Sequence, residues 1–353
     1  MGIANLNQFL KQKNINCFFT MPLQRFSNQR IAIDGLNWIF SYLNSVYKRL
    51  VERQKDILVD IEQETIYENM LLEWIKFNNK FMNYKITPVW IWDGVSKDNK
   101  LVTKIERRKY RTEIINKKLA LKEQLLEMNI LERDDSILKE YKKLVLASPY
   151  FSRDSTDRLK EFSQESGIPT LIAEDEAENL ACSLAVERKV SAVWSSDTDT
   201  YPLGAPIVVK GFEIINREIN IKGVFTLNIL KSLQLDHDSF RDFCILLGTD
   251  FNDRIDRIGP VSSLALIKKY KNIETITKET KHNTYCLHEK EVRKQLTPYS
   301  TDNIGEERLN TKFTNIPSPF KDEKYNTIFS DFIANTRDIG EATKMPKITI
   351  KRK

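Results

Sequence analysis

Short apolar runs alternate with longer stretches of helical periodicity through the first two-thirds of the chain. Four runs are too short for helices and rich in β-branched or aromatic residues, which predicts buried strands. They are residues 30–33, 88–92, 190–194 and 207–209. Between the first two runs, apolar residues at roughly helical spacing predict a helix over residues 65–84. Strand–helix–strand alternation is typical of a mostly parallel central sheet flanked by helices, so we expect an α/β fold.

Residues 100–165 interrupt this alternation, because they are charged and helix-prone and contain no candidate strand. We expect a helical insertion that projects from the edge of the sheet. A further helix is predicted over 239–248, where a glycine ends it, and another over 261–270. Beyond about residue 300 the chain becomes polar and ends in a basic tail. The predicted divisions are an N-terminal part of the core (1–99), the helical insertion (100–165), an internal part of the core (166–300) and a C-terminal extension (301–353).

Composition restricts the class of protein. Hydrophobic residues make up 41% and charged residues 29% of the chain, which is typical of a soluble globular protein. No apolar run reaches the length of a membrane span, and residues 1–10 lack the features of a secretory signal. We therefore expect an intracellular protein with no membrane partner.

The cysteines and histidines exclude one class of metal site. The four cysteines are scattered without a CxxC pair, and the three histidines show no ligand spacing with them, so zinc is not expected. Any metal must be held by carboxylates, which favours a hard cation that prefers oxygen ligands.

Positive charge is concentrated in one segment. The net charge is only +6, but the segment from Lys100 to Lys122 contains nine Lys or Arg residues and only two acids, Glu106 and Glu113. Such a local surplus is typical of a surface that binds a phosphate backbone. The alternative is a charged helix face exposed to solvent.

Acidic residues follow the predicted strands. Asp34 and Asp93 come directly after two of them, and Asp197 follows a third after two serines. Taken singly, an aspartate after a strand is a common turn former or helix cap. Several carboxylates at one sheet edge, however, would repel one another unless divalent cations neutralised them. Two magnesium ions roughly 4 Å apart serve phosphodiester hydrolysis in this way.

Five segments carry a resemblance to a known family. They are MGIANLNQFL at the start, IAIDGLNWIF, PVWIWDG, EAENLA with SSDTD, and LLGTDFNDRIDRIGP. In this order, over residues 1 to about 275, they resemble the conserved blocks of the XPG-type flap endonucleases. The resemblance implies a PIN-like nuclease core with a helical arch over residues 100–165. It also implies a helix–two-turn–helix DNA-binding element at about 239–270.

The resemblance assigns a metal centre and catalytic residues. It implies two Mg²⁺ ions, for which Mn²⁺ can substitute. The implied ligands are Asp34, Asp93, Glu176, Glu178, Asp197, Asp199 and Asp250. Lys100 and Arg107 stand seven and fourteen residues beyond Asp93, where the family has the cations that hold the scissile phosphate. With Asp197 they form the expected catalytic set.

The resemblance also assigns DNA contacts. Phe40 occupies the place of an aromatic ring that stacks on the base beside the cut, although packing in the core is the alternative. Gly2 matches a residue whose backbone lies close to the substrate. The remaining expected contacts are Lys100, Lys104, Arg107, Arg108, Lys117, Lys118, Lys122 and Gly259.

Two features depart from the family pattern. The G-I-G turn of the helix–two-turn–helix is Arg257-Ile258-Gly259 here, which bears on the K⁺ ion that the family holds there with backbone carbonyls. No clear sliding-clamp peptide is present. Residues 326–333 (NTIFSDFI) resemble one only faintly, and an amphipathic helix is the favoured interpretation.

The expected function is that of a structure-specific 5′ flap endonuclease and 5′ exonuclease, acting on branched DNA in replication, repair or recombination. The expected partner is DNA with a single-stranded 5′ flap, bound by a monomer in the nucleus or at a cytoplasmic replication site such as a viral factory. The alternatives are a junction or bubble nuclease of the same family, a related ribonuclease and a non-catalytic DNA-binding scaffold.

Overall fold

A seven-stranded sheet forms the centre of the computed structural model, which describes residues 2–94, 101–129, 134–312 and 317–338. Its strand order is β1-β7-β6-β5-β2-β3-β4. Strands β6, β5, β2, β3 and β4 are parallel neighbours, whereas β7 is antiparallel to both β6 and β1. The strands are β1 Phe18–Pro22, β2 Arg30–Asp34, β3 Thr87–Trp92, β4 Thr170–Ile172, β5 Ala192–Trp194, β6 Ile207–Ile215 and β7 Glu218–Phe225.

Helices cover both faces of the sheet. The first six are α1 Leu6–Gln12, α2 Gly35–Arg53, α3 Gln63–Met82, α4 Leu101–Glu127, α5 Asp135–Ala147 and α6 Arg153–Glu165. They are followed by α7 Ala177–Val186, α8 Thr226–Leu233, α9 His237–Leu247, α10 Pro260–Tyr270, α11 Ile273–Glu279, α12 Glu289–Gln295 and α13 Asn326–Asp338. None of the helices in these ranges is both long enough and apolar enough to cross a bilayer.

The predicted α/β architecture is confirmed, as are its four strands and the helix between the first two. The run at 207–209 is only the beginning of β6, which continues to Ile215 and turns back into β7. Sequence periodicity does not show this extension, because the outer half of the hairpin leaves the core and most of its side chains are exposed. Strands β1 and β4 lie at the sheet edges, and their mixed burial hides them in the same way.

Alternating side chains of the central strands supply two separate cores. Ala32, Val89 and Val193 point to the face covered by α1, α7 and α9. Ile33 and Trp90 point to the opposite face, which α2, α3 and α13 cover. A parallel strand buried on both faces has this two-sided apolar character, which explains why β2 and β3 appear as continuous hydrophobic runs.

The charged segment after β3 is helical, as predicted. Helices α4 and α5 pack against each other, and Leu125 and Tyr141 join Val51 in a small apolar cluster away from the sheet. Helix α6 differs, because its Leu159 and Phe162 belong to the main core beside α3. The described part of residues 100–165 therefore includes an outlying helical pair and one helix that is part of the core.

The C-terminal helix is integrated in the core. Phe329 and Phe332 of α13 are 4% and 0% exposed, and the Phe332 ring centroid lies 5.6 Å from that of Trp74. These aromatic residues carry the faint likeness to a clamp-binding peptide. Their burial agrees with the amphipathic-helix interpretation, and such a peptide would have to leave the core to reach a clamp.

Candidate metal centre and nucleic-acid interface

The parallel strands deliver acidic residues to one edge of the sheet. Strand β2 ends at Asp34, and Asp93 follows β3 directly. Asp197 comes three residues after the end of β5. Ile33 is in register with Trp194, and Asp34 with Ile91, so the three strands end side by side. This is the carboxyl edge, where open α/β sheets bind their ligands.

Three buried carboxylates form the closest group. One carboxylate oxygen each from Glu178, Asp197 and Asp199 lies within 4.8 Å of the other two. Asp197 and Asp199 are held by their own loop, in which Asp197 Oδ1 accepts a hydrogen bond from the Asp199 N–H at 3.2 Å. The Asp197 N–H donates to Ser195 Oγ at 3.1 Å. Glu178 reaches the same point from the first turn of α7.

Asp34 extends this group toward the neighbouring strands. The pKa of Asp34 is raised to about 7, chiefly by burial. The hydrogen bond that the Asn37 N–H donates to its Oδ1 acts in the opposite direction and lowers this pKa. The charges of Asp93, Asp197 and Glu176 contribute to the same rise. Asp197 belongs both to the close group of three and to the acids whose charges act on Asp34. The two groups, six acids in all, are therefore linked through Asp197. These positions follow the expected convergence at the sheet edge, and the role of the six acids as metal ligands stays a prediction.

The start of α7 faces the acids. Asp93 Oδ1 accepts a hydrogen bond from the Ala177 N–H at 2.7 Å, and Glu176 is the N-cap residue. The partial positive charge of a helix N-terminus stabilises nearby carboxylates, although it cannot neutralise six of them.

The seventh predicted ligand, Asp250, comes two residues after Gly248, beyond the end of α9. Its side chain is half-buried and lies outside the close group of three. The role of Asp250 as a metal ligand stays a prediction.

Gly2 lies directly against the carboxylates. Its φ is +85°, and a Cβ atom at this position would lie 2.0 Å from Asp197 Oδ1 and 2.8 Å from Asp199 Oδ1. The segment is held there because the Ala4 N–H donates to the Gly248 carbonyl at 3.0 Å. Only glycine fits this position, for both conformational and steric reasons.

Asn37 is a member of the site that the sequence did not reveal. Its Oδ1 accepts hydrogen bonds from the Ser196 N–H at 2.9 Å and from the Ser196 hydroxyl at 3.0 Å. It thereby ties the start of α2 to the loop that carries Asp197. The residue stands three positions after Asp34 in IAIDGLN, but an asparagine in a first helical turn carries no specific signal.

The donor set fits a divalent cation. All its ligand atoms are carboxylate oxygens, which are the donors that Mg²⁺ and similar hard ions take. Buried like charges at this spacing disfavour one another in the absence of a cation, so a bound ion would stabilise the arrangement.

The predicted DNA contacts have different environments. Phe40 is 55% exposed on α2, so the alternative that it packs in the core is wrong. Lys100 lies outside the described residues, and Lys104 and Arg107 belong to the first turns of α4. The remaining predicted cations of this helix are Arg108 and Lys117, which are exposed, and Lys118 and Lys122, which are half-buried.

Lys122 has a partner within the protein. Its Nζ lies 2.6 Å from Asp60 Oδ2, on the segment between α2 and α3. This ion pair joins the arch helix to the core, so part of the predicted basic surface has a structural role.

In the turn between α9 and α10, a residue with left-handed backbone stands where the family has its first glycine. Arg257 adopts a φ of +59°, in the left-handed region that glycine favours, and its side chain is 91% exposed. Gly259 is the N-cap residue of α10, and a Cβ there would have no atom within 4 Å. The backbone of α10 is thus open to a ligand at this end.

Comparison with known proteins supports the family resemblance found in the sequence. Residues 1–114 match the XPG N-terminal domain, and residues 167–250 match the XPG I-region. Flap endonuclease 1-2 of Paramecium tetraurelia is 30% identical over 286 residues, which cover 78% of this chain and 67% of the relative. Flap endonuclease 1 of Phaeodactylum tricornutum is 29% identical over 328 residues, covering 92% and 72%. The structure of flap endonuclease-1 from Methanococcus jannaschii shares the fold, with a TM-score of 0.57 at 19% identity, covering 92% and 96%.

Proposed function

The chain belongs to the XPG-type flap endonuclease family, and from this premise we propose that it is a structure-specific nuclease that hydrolyses branched DNA with an unpaired 5′ strand. The observation that carries the proposal is the group of three buried carboxylates at the carboxyl edge of the sheet. A DNA-binding scaffold without catalysis would gain nothing from such a mutually repelling cluster.

The acids hold the metal in this proposal. Glu178, Asp197 and Asp199 would hold one divalent ion, while Asp34, Asp93 and Glu176 would extend the site toward a second. Asp250 is proposed to complete the ligand set. Two Mg²⁺ ions, or Mn²⁺ in their place, would activate a water and stabilise the leaving oxygen, producing 5′-phosphate and 3′-hydroxyl ends. Because Gly2 has no side chain, its backbone lies close to the carboxylates of Asp197 and Asp199.

The cations of the arch position the substrate. Lys100 and Arg107 are proposed to hold the scissile phosphate, where fixed positive charge stabilises the negative charge that grows in the transition state. Lys104, Arg108, Lys117 and Lys118 bind the phosphate backbone of the same strand. Phe40, exposed on α2, stacks on the base beside the cut.

The helix–two-turn–helix formed by α9 and α10 binds the duplex arm through Gly259. We propose that K⁺ can still be held there, because Arg257 adopts the left-handed backbone that the missing glycine would supply. With K⁺ bound there, the affinity of the protein for duplex DNA should be higher in KCl than in LiCl at equal ionic strength. Equal affinity in the two salts would exclude the ion.

We propose that the protein acts as a monomer where branched DNA arises, in a nucleus or at a viral replication site. A sliding clamp stays a possible partner through residues outside the buried face of α13.

A labelled 5′-flap substrate tests the proposal directly. Wild-type protein with Mg²⁺ should release the flap strand as a short product, and a chelator should prevent this. Ca²⁺ should permit binding without turnover, because it is larger and less demanding of octahedral geometry. If the flap is not cut with Mg²⁺ or Mn²⁺ while the protein binds it, the proposed activity is wrong.

A further inference from the structure

A separate cavity opens beside the metal centre. Its volume is about 400 Å³. Leu36, Trp92 and Asp93 line it from the sheet side, at the start of α2 and the end of β3. Tyr150, Phe151, Arg153 and Lys160 line it from the start of α6. None of the last four residues has a role in the proposed reaction.

The walls of this cavity combine aromatic rings with positive charge. Tyr150 is 46% exposed, and Phe151 next to it is half-buried. Arg153 and Lys160 add two cations, while Asp157 lies 3.9 Å from Arg153 on the exposed rim. Aromatic faces with neighbouring cations are the features that bind single-stranded nucleic acid, since every base has a π-face and every nucleotide a phosphate.

The arch borders the same cavity. The guanidinium of Arg111, on α4, lies 4.7 Å from the centroid of the Tyr150 ring. This contact joins the basic helix to the aromatic wall and orients the ring. A strand that follows the cations of α4 toward the acids would pass this wall.

Helix α2 connects the cavity to the exposed ring of Phe40. Leu36 lines the cavity, and Phe40 follows four residues later on the same face of the helix. Four residues correspond to a rise of about 6 Å, close to the distance between successive nucleotides of an extended strand. The cavity, Asp93 and Phe40 thus lie along one continuous path.

We infer that this cavity binds one unpaired nucleobase of the strand that is cut, next to the base that stacks on Phe40. The inference rests on the proposed function. A base pair with two sugar–phosphate backbones does not fit a cavity of this size, whereas a single base can stack on Tyr150. Arg153 and Lys160 neutralise the phosphate that accompanies it.

The test measures equilibrium binding in Ca²⁺, so that no cleavage occurs. The ligands are a 5′-flap junction and the same junction with a single abasic residue at the unpaired position assigned to the cavity, so that the base assigned to Phe40 is kept. In wild-type protein the abasic replacement should weaken binding between about fivefold and a hundredfold. Tyr150→Ala should weaken binding of the intact flap by a similar factor, with little further loss on the abasic flap.

Two variants serve as controls. Tyr150→Phe keeps the ring and should retain the wild-type difference between intact and abasic flaps. Tyr285→Ala removes a tyrosine that is 84% exposed elsewhere on the surface and should change neither affinity. Because Tyr150 is itself exposed, its variants should melt within a few degrees of wild type.

The inference is overturned if the abasic penalty is the same in wild type and Tyr150→Ala, or if wild type shows no penalty. In the second case the cavity recognises only phosphate, or nothing. Cleavage of the intact flap by wild type with Mg²⁺ keeps the two questions apart. Loss of that cleavage contradicts the proposed function, whereas normal cleavage with equal penalties contradicts the cavity alone.

Discussion

Asp197 is the carboxylate that connects the two parts of the metal centre. It lies within 4.8 Å of Glu178 and Asp199, and its charge also reaches Asp34. Asp197→Asn should lower the cleavage rate by at least about a hundredfold, because losing a ligand costs more than losing a supporting partner, which itself costs 10–100-fold. DNA affinity in Ca²⁺ should stay close to wild type. Asp331→Asn, an exposed acid on α13, should retain full activity. A wild-type rate in Asp197→Asn would contradict the metal assignment.

Gly2 tests whether the close approach to the acids matters. In Gly2→Ala the new methyl group would lie 2.0 Å from Asp197 Oδ1, so either the segment or the carboxylate must move. We expect metal affinity to fall about tenfold or more, as for other changes that displace a ligand. The melting temperature without metal should change little, since the segment can move outward. Gly259→Ala, which meets no atom within 4 Å, should leave metal affinity unchanged. Titration calorimetry measures the Mg²⁺ affinity of both variants. Equal affinities would contradict a role for the close approach of Gly2.

At the scale of elements, α4 and the residue that precedes it in the sequence supply two kinds of cation. Replacing Arg108, Lys117 and Lys118 together by alanine should make the salt dependence of binding shallower by about 2 to 3 in log–log slope, with the single-turnover rate preserved. Lys122 is left intact, because its removal would also break the ion pair with Asp60. Lys100→Ala and Arg107→Ala should do the reverse, slowing the single-turnover rate at saturating protein with little loss of affinity. If the triple variant keeps the wild-type slope, α4 presents only a solvated charged face.

Helices α9, α11 and α12 are joined by one cation. Arg293 on α12 lies 2.6 Å from Asp242 Oδ1, and it also pairs with Glu274 on α11. Asp242 is nearly buried and accepts the Ile273 N–H at 3.0 Å. Arg293→Ala would leave this carboxylate buried without its charged partner, which should cost about 3 kcal/mol. Lys48→Ala, which removes an exposed pair at 3.9 Å, should cost under about 1 kcal/mol.

The same cluster predicts a pH dependence. The hydrogen bond from Arg293 lowers the pKa of Glu274 from 4.5 to about 2. A carboxyl group with a lowered folded-state pKa stabilises the fold above its ordinary pKa, and this contribution is lost as the pH falls from about 4.5 toward 2. The difference in unfolding free energy between wild type and Arg293→Ala should therefore narrow over that range. A constant difference in urea titrations at pH 7 and pH 3 would contradict the assignment.

At the scale of the whole molecule, the arch helix, the metal centre and the helix–two-turn–helix define substrate shape together. We expect the highest cleavage rate on a 5′ flap, followed by a nicked duplex, with a bubble and a four-way junction slower by about tenfold or more, since losing about 1.4 kcal/mol of transition-state stabilisation lowers a rate tenfold. The reason is that a flap and a nick offer a free 5′ strand to the acids at the sheet edge, whereas a bubble and a four-way junction have no free end there. Rates on the four substrates at equal DNA and Mg²⁺ concentrations would decide it. A preference for the four-way junction would assign the chain to a resolvase.

Local patterns in the sequence predict the sheet, the ends of its strands and the acids that follow them. Asp34, Asp93 and Asp197 could be predicted because a short buried strand is a local signal, and parallel strands must end at one edge. The helical character of α4 and the two helices of the binding element followed from periodicity and from Gly248 in the same way. The resemblance to the family added roles for residues whose local patterns carry none.

The other features of the site depend on contacts between distant parts of the chain. Whether Phe40 is buried or exposed depends on what packs against α2, and the periodicity of one helix does not contain that information. The pairing of Lys122 with Asp60, the hydrogen bonds that Ser196 donates to Asn37, and the packing of α13 in the core all join residues distant in the chain. The cavity beside Asp93 exists only because α6 packs next to β3, since its two walls lie more than fifty residues apart. Long-range packing, and not local propensity, determines such sites.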